Sequence, residues 1–192
     1  MKKLSILIAL AALLTTAVFM GGCGLVSGTV FISQEVDGSL EAQAGAASML
    51  AERGTPTLDD QFGGAKVDLT TNSEWQDIDI DGIEDICVRL TAHNLLSQEV
   101  SGEVWVTVGD VEYTTIQQVQ ANGFRVFAGL ALAPNETRTF ECSETLELFE
   151  NLDQLVDAVA NGVFWVWARG DQSTYHITYD AIYLGMHVTG SI

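Results

Sequence analysis

From Lys66 onward, apolar and polar residues alternate with a period of two, in short runs separated by turn residues. Ile86–Leu90, Val104–Val108, Phe124–Phe127, Thr137–Phe140 and Val163–Trp167 are rich in β-branched and aromatic residues, and each run predicts a strand. The stretch Tyr175–Val188 puts Tyr175, Ile177 and Tyr179 on one face, then Ile182, Leu184, Met186 and Val188 on the other. That change of phase near Asp180 predicts a bulge, or a strand crossing between sheets. One stretch follows the helical period instead. Phe149, Leu152, Leu155, Val156 and Val159 predict a single amphipathic helix over about 147–161, with acidic residues in its first turn and Gly162 at its C-terminal cap. The pattern is that of a mainly β chain, a β-sandwich with one helix before its last strands.

The beginning of the chain differs. MKKLSILIALAALLTTAVFMGGC has two lysines, an apolar run and then small residues before a cysteine, which is the layout of a secretory signal peptide over residues 1–22. A membrane span would carry a basic flank, yet the next basic residue is Arg53. Met20-Gly21-Gly22-Cys23 resembles the lipobox of bacterial lipoproteins, with Met20 where leucine is usual. The resemblance implies diacylglycerol and palmitate attachment at Cys23, a membrane partner reached through that N-terminal lipid, and a place in the cell envelope or periplasm. In a Gram-negative cell, Gly24 after the cysteine implies the outer membrane. The alternative is an ordinary signal peptidase site with an incidental cysteine.

After Cys23, residues 24–38 hold a candidate short strand, and residues 39–65 turn rich in Ala, Gly and Ser with the breakers Gly54, Pro56, Gly63 and Gly64, so 23–65 read as a lipid-anchored tether or wrapping segment with a short helix around Leu40–Arg53. The compact domain is expected over residues 66–192. Leu132–Phe140, where a Pro-Asn turn feeds an alternating strand, resembles the jelly-roll or immunoglobulin-like sandwiches of bacterial surface lipoproteins. That likeness implies a fold and an exported setting, with no functional residues attached.

Charge narrows the partners. The formal charge is −18, and loss of residues 1–22 leaves 170 residues (192 − 22) at −20 (−18 − 2), with Lys66 the one lysine. Such a surface repels phosphate backbones, so nucleic acid is excluded, and cations, proteins or glycans remain as partners.

DIDIDGIED, residues 77–85, carries the one candidate metal motif. Asp77, Asp79, Asp81 and Asp85 resemble the DxDxDGxxD calcium loop of integrin-type FG-GAP repeats and, in part, EF-hand and dockerin loops, where alternate carboxylates wrap a hard cation. Calcium is the one cofactor implied. Val88 stands where an EF-hand needs glutamate, and a single copy departs from the propeller that FG-GAP repeats build. The alternative is a strand with isoleucines inward and aspartates outward, turning at Gly82 into the next strand.

With Cys23 lipidated, Cys87 and Cys142 remain on predicted strands of an exported domain, either as an intersheet disulfide or as two buried thiols. The sequence has no G-x-S-x-G, H-E-x-x-H or P-loop, and His93, His176 and His187 are scattered, so no reaction signature marks an enzyme. Trp105, Trp165 and Trp167, with Tyr175, Tyr179 and Tyr183, could form an aromatic platform, although a sandwich core needs such rings too. Three functions follow: a lipid-anchored binding or interaction module, a calcium-dependent adhesion or carbohydrate-binding module, and a carboxylate-based hydrolase.

Overall fold

The computed structural model describes residues 27–36, 38–44, 62–76 and 78–191. Among them, nine strands form two antiparallel sheets. Sheet A contains β1 (Ser27–Glu35), β2 (Leu40–Ala44), β4 (Asp79–Asn94), β7 (Thr137–Phe140) and β9 (Tyr175–Ser191). Sheet B contains β3 (Gly63–Asp68), β5 (Val100–Val108), β6 (Phe124–Leu132) and β8 (Val163–Gly170). The order is β1-β9-β4-β7 in sheet A, with β2 also on β9, and β3-β8-β5-β6 in sheet B.

The pairing is nested. β5 pairs with β6, β4 with β7, β3 with β8, and β1 and β2 both with β9. One long hairpin has folded over itself into two layers, which makes this sandwich a jelly roll. β1 and β2 share one side of β9, along Tyr183–Ser191 and Tyr175–Tyr179.

The sandwich therefore includes residues from Ser27 onward and does not start near Lys66. β1, β2 and the first half of β3 come from the segment expected to be a tether or wrapping segment, and β1 falls where a short strand was expected. Leu40–Ala44 is a strand, not the start of a helix, because Leu40, Ala42 and Ala44 alternate inward and the segment pairs with Tyr175–Tyr179 of β9. The remainder of the expected helix, residues 45–53, lies outside the described residues.

The expected single helix is two. α1 (Ser73–Gln76) and α2 (Ile116–Asn122) precede α3 (Cys142–Leu148) and α4 (Leu152–Asn161). The chain breaks between α3 and α4 because Phe149 leaves the helical path to bridge Phe127, while Glu150 N–H donates to the Val126 carbonyl of β6. Leu155, Ala158 and Val159 of α4 are buried, and Gly162, at φ 81°, closes that helix with its N–H on the Val159 carbonyl.

Inward side chains of both sheets form the core, with Ile32, Leu90, Leu130, Phe164, Tyr175, Ile177, Tyr179 and Met186 almost wholly removed from solvent. Between the sheets lies a cavity of about 40 Å³ with a wholly apolar lining that includes Val88, Val106, Val126 and Leu184. It exceeds the space of one water but offers no polar partner, so it stays dry. The phase change in β9 is a bulge: Arg89 pairs with Tyr183 and Thr91 with Asp180, leaving Ala181 as the extra residue at φ 47°.

Candidate functional site

The outer faces of the two sheets carry the polar and aromatic residues from which a site could be built. On sheet B, alternation sends Glu103, Trp105 and Thr107 of β5 outward beside Trp165, Trp167 and Arg169 of β8. Trp105 lies opposite Trp167, and Glu103 opposite Arg169. Trp165 and Trp167 stack, with ring centroids 5.2 Å apart and planes 16° from parallel.

Trp167 reaches across β3, where Gly64 leaves it room; any Cβ at Gly64 would overlap the indole. Phe62 and Tyr113 pack on Trp167 at centroid distances of 5.4 and 6.4 Å, and Ile116 and Val119 of α2 complete a second, smaller core outside the sheet. α2 starts where it does because Thr115 and Gln118 form a reciprocal capping box. The Trp167 indole N–H donates to Thr107 Oγ1 at 2.9 Å. Trp105 and Trp165 are half-buried, and neither indole N–H has an acceptor among the described residues. The same is true of Arg169 Nε.

Next to the indoles lies an ion network. Glu103 is buried and accepts from Arg125 Nη1 at 3.2 Å and Arg169 Nη1 at 3.3 Å. Arg125 also grips Glu150 with two bonds, at 2.7 and 3.0 Å. Hydrogen bonds from Glu150 first and Glu103 second hold the Arg125 guanidinium above its ordinary value. A buried carboxylate is tolerated here because two guanidinium groups neutralise it. Glu103 lies on the period-two face of Trp105, and Arg169 on that of Trp167, but residue order does not show the strand pairing that brings the two together with Arg125.

The aromatic platform is therefore only partly as expected. Trp105, Trp165 and Trp167 share one outer face, but Tyr175 and Tyr179 point into the core, and Tyr183 lies on the outer face of sheet A. Burial raises the Tyr179 hydroxyl pKa far above the tyrosine range.

Sheet A presents a different surface. His93 bonds Thr137 Oγ1 through Nδ1 at 2.9 Å and Asp180 through Nε2 at 2.8 Å, across three adjacent strands. Thr91 and Thr139 share a hydrogen bond of 3.0 Å. His176 meets Glu41 at 2.7 Å, and His187 lies 3.4 Å from Asp85. Each histidine has its own carboxylate, and the described residues gather no group of three or more His, Cys, Asp or Glu side chains. Thr137, His93 and Asp180 line up as nucleophile, base and orienting acid would, and all three side chains are at least partly exposed on the outer face of sheet A.

From Asp79 onward the acidic motif is part of one strand. Gly82 does not turn the chain, because β4 runs unbroken from Asp79 to Asn94 along β9. Asp81 and Asp85 mark bulges, each adding a residue that β9 does not match, and Asp85 sits at φ 52°, a conformation that aspartate tolerates better than most residues. Ile78, Ile80 and Ile83 pack against the core, while Asp79, Asp81 and Asp85 are exposed. Asp77 lies outside the described residues.

Cys87 and Cys142 are joined by a disulfide, with Cα atoms 5.0 Å apart. The bond is not intersheet: it ties β4 to the first turn of α3, beside the buried Thr145, whose hydroxyl donates to the Val88 carbonyl at 2.6 Å. β7 pairs only with Leu90–His93, so α3 takes over the edge of β4 beyond it. Cys23 lies outside the described residues, among which no helix is long and apolar enough to cross a membrane.

No family model matches the chain, and no curated protein does. Among solved structures, one from Desmodium yellow mottle tymovirus is 13% identical over 88% of this chain and 91% of its own, with a TM-score of 0.34. A Tobacco streak virus coat protein is 13% identical over 88% and 92%, with a TM-score of 0.27.

Proposed function

We propose that this chain is an exported, lipid-anchored binding module that holds a glycan against the outer face of sheet B. The observation that carries the reading is that Trp105 and Trp165 stand half-buried on that face, part of each ring open beside the Arg125–Glu103–Arg169 network. A sugar supplies both halves of the match. Its C–H face stacks on an indole, and its hydroxyl and ring oxygens accept from the part-exposed Arg125 guanidinium. Glu103 and Glu150 balance Arg125 and Arg169, so the face carries no net charge from this network. A neutral oligosaccharide therefore suits it better than a polyanion, which the overall charge of −18 would repel.

Titration of the intact protein with a panel of neutral oligosaccharides, followed by tryptophan fluorescence, tests the reading. A saturable change is expected, and Trp105→Ala with Trp165→Ala should abolish binding measured by calorimetry. A panel that gives no saturable signal sinks the glycan reading. Anchoring rests on Cys23: labelled palmitate should enter the wild type and not Cys23→Ser, and equal labelling of both removes the lipid from the proposal.

A further inference from the structure

Sheets end in edges, and three of the four here are guarded. The edge of β6 is covered by the link between α3 and α4, through Glu150 N–H on the Val126 carbonyl and Asn151 Nδ2 on the Arg125 carbonyl. β3 abuts β2, since Gly63 lies against the Glu41 backbone. β7 is four residues long and runs straight into α3, with Arg138 held by Glu144 at 2.7 Å.

β1 is different. It is nine residues long, its register with β9 is unbroken from Ser27 to Glu35, and Glu35 is its one charge. It has no proline, lysine or bulge, the devices that normally blunt an edge. Val36 N–H donates to Ile182 on the β9 side, whereas the Ser33 carbonyl accepts from Asn72 on the opposite side. That parity turns the backbone groups of Thr29, Phe31 and Ser33 toward the free edge. Among the described residues Asn72 is the one partner seen there, and Phe31 is 48% exposed.

We propose that a second copy of this chain adds to this edge, β1 to β1, antiparallel about a twofold axis at Phe31. The strand is self-complementary in that register. Phe31 meets its counterpart, Thr29 meets Ser33, whose carbonyl exchanges Asn72 for the partner's Thr29 N–H, and Glu35 meets Ser27, so the two Glu35 side chains stand about 27 Å apart at 3.4 Å per residue. The Debye length is about 8 Å at physiological salt, so they do not repel. Elsewhere two copies at −18 each would meet acid against acid, and this neutral strand avoids that. One strand pair is a small interface, so the association is transient in dilute solution. Where Cys23 carries lipid, as proposed above, confinement to one membrane raises the effective concentration. The pairing is independent of the glycan reading.

Cysteine crosslinking of the full chain in bacterial cells tests it. Antiparallel partners in a hydrogen-bonded pair lie about 5.5 Å apart at Cα, within disulfide range. Phe31→Cys under mild oxidation should give a reducible dimer of twice the monomer's mass. Co-expressed Thr29→Cys and Ser33→Cys chains should crosslink to each other, and Leu146→Cys, equally exposed but remote, should stay monomeric. Adding Thr29→Pro to Phe31→Cys removes an edge donor without touching a bond to β9. Each copy loses one edge bond, two per dimer, so the dimer yield should fall about thirty-fold, the change expected for a net loss of two hydrogen bonds. Monomer from both the Phe31 and the Thr29/Ser33 variants, an adduct with a different protein, or equal crosslinking through Leu146→Cys would each overturn the pairing.

Discussion

The outer faces of sheets A and B start from the same alternation of residues and end in different chemistry. Sheet B places indoles outward and covers the innermost, Trp167, with Phe62, Tyr113 and α2, so that its outer side becomes a small second core. Sheet A places mainly Thr, His and Asp outward, and its rings Phe31 and Tyr183 lie against His187 and Arg89; among the described residues little covers it, and its side chains bond one another across strands. The contrast teaches that a sheet face needs no apolar cover when its side chains are short and mutually paired. Large rings, by contrast, demand a cover, and where the cover stops short they remain available to a ligand.

The contrast should appear first in stability. Trp167→Ala removes the centre of the second core and should cost about 3–5 kcal/mol in denaturant unfolding, the range for a buried aromatic. A cost below about 1 kcal/mol would mean that this cluster is surface rather than core. Sheet A should depend on its covalent tie instead. Replacing Cys87 and Cys142 with alanine frees α3 from β4 and should cost about 2–4 kcal/mol, given the 55-residue separation. A double variant as stable as the wild type would show that Thr145 alone holds α3.

Much of the fold was legible because β-alternation survives without neighbours. The strands from Ile86 onward and the β9 bulge follow from residue order, and the Pro134-Asn135 turn appears with Asn135 at φ 54°. What was hidden depended on partners far along the chain. Gly63 and Gly64 read as breakers, yet Gly64 is the bed on which Trp167 lies, a role visible only once β8 is beside β3. Asp81 and Asp85 each add a residue to β4, and the resulting shift looked like a turn at Gly82. Of the candidate site, the shared face of the three tryptophans could be read from spacing. The Arg125–Glu103–Arg169 network could not, because it draws on three strands.

Smaller effects sharpen the comparison. His93→Ala breaks the Thr137–His93–Asp180 chain on sheet A, but the side chains are partly solvated, so the loss in stability should stay below about 1 kcal/mol. A loss above 2 kcal/mol would make that chain a structural keystone of sheet A. The smallest effect is acid sensitivity, which should be alike on both sheets. Glu144 is held below the usual carboxylate range by the Glu141 N–H and then by Arg138, and Asp68 by the Thr70 hydroxyl first and Lys66 after it. In each case the unfolded chain takes up its proton first as pH falls. The stabilisation is therefore present above about pH 4.3 and is lost below it, through the depressed folded value. Denaturant midpoints of Glu144→Gln and Asp68→Asn should fall less than that of the wild type between pH 5 and 3, and parallel curves would remove these carboxylates from the account.

The nested hairpin also sets a timetable. β9 contacts β1, β2 and β4, and it is synthesised after every other described strand, so Ser27 waits for Ser191, 164 residues later (191 − 27), before the first pair of that ladder can close. Until then sheet A lacks its central member and β1 has no neighbour. Contacts that distant make closure slow. For a chain expected to cross a membrane, the delay is useful: the nascent polypeptide stays open and threadable through most of its synthesis, and the jelly roll locks when its last described strand is drawn in between the first and the fourth.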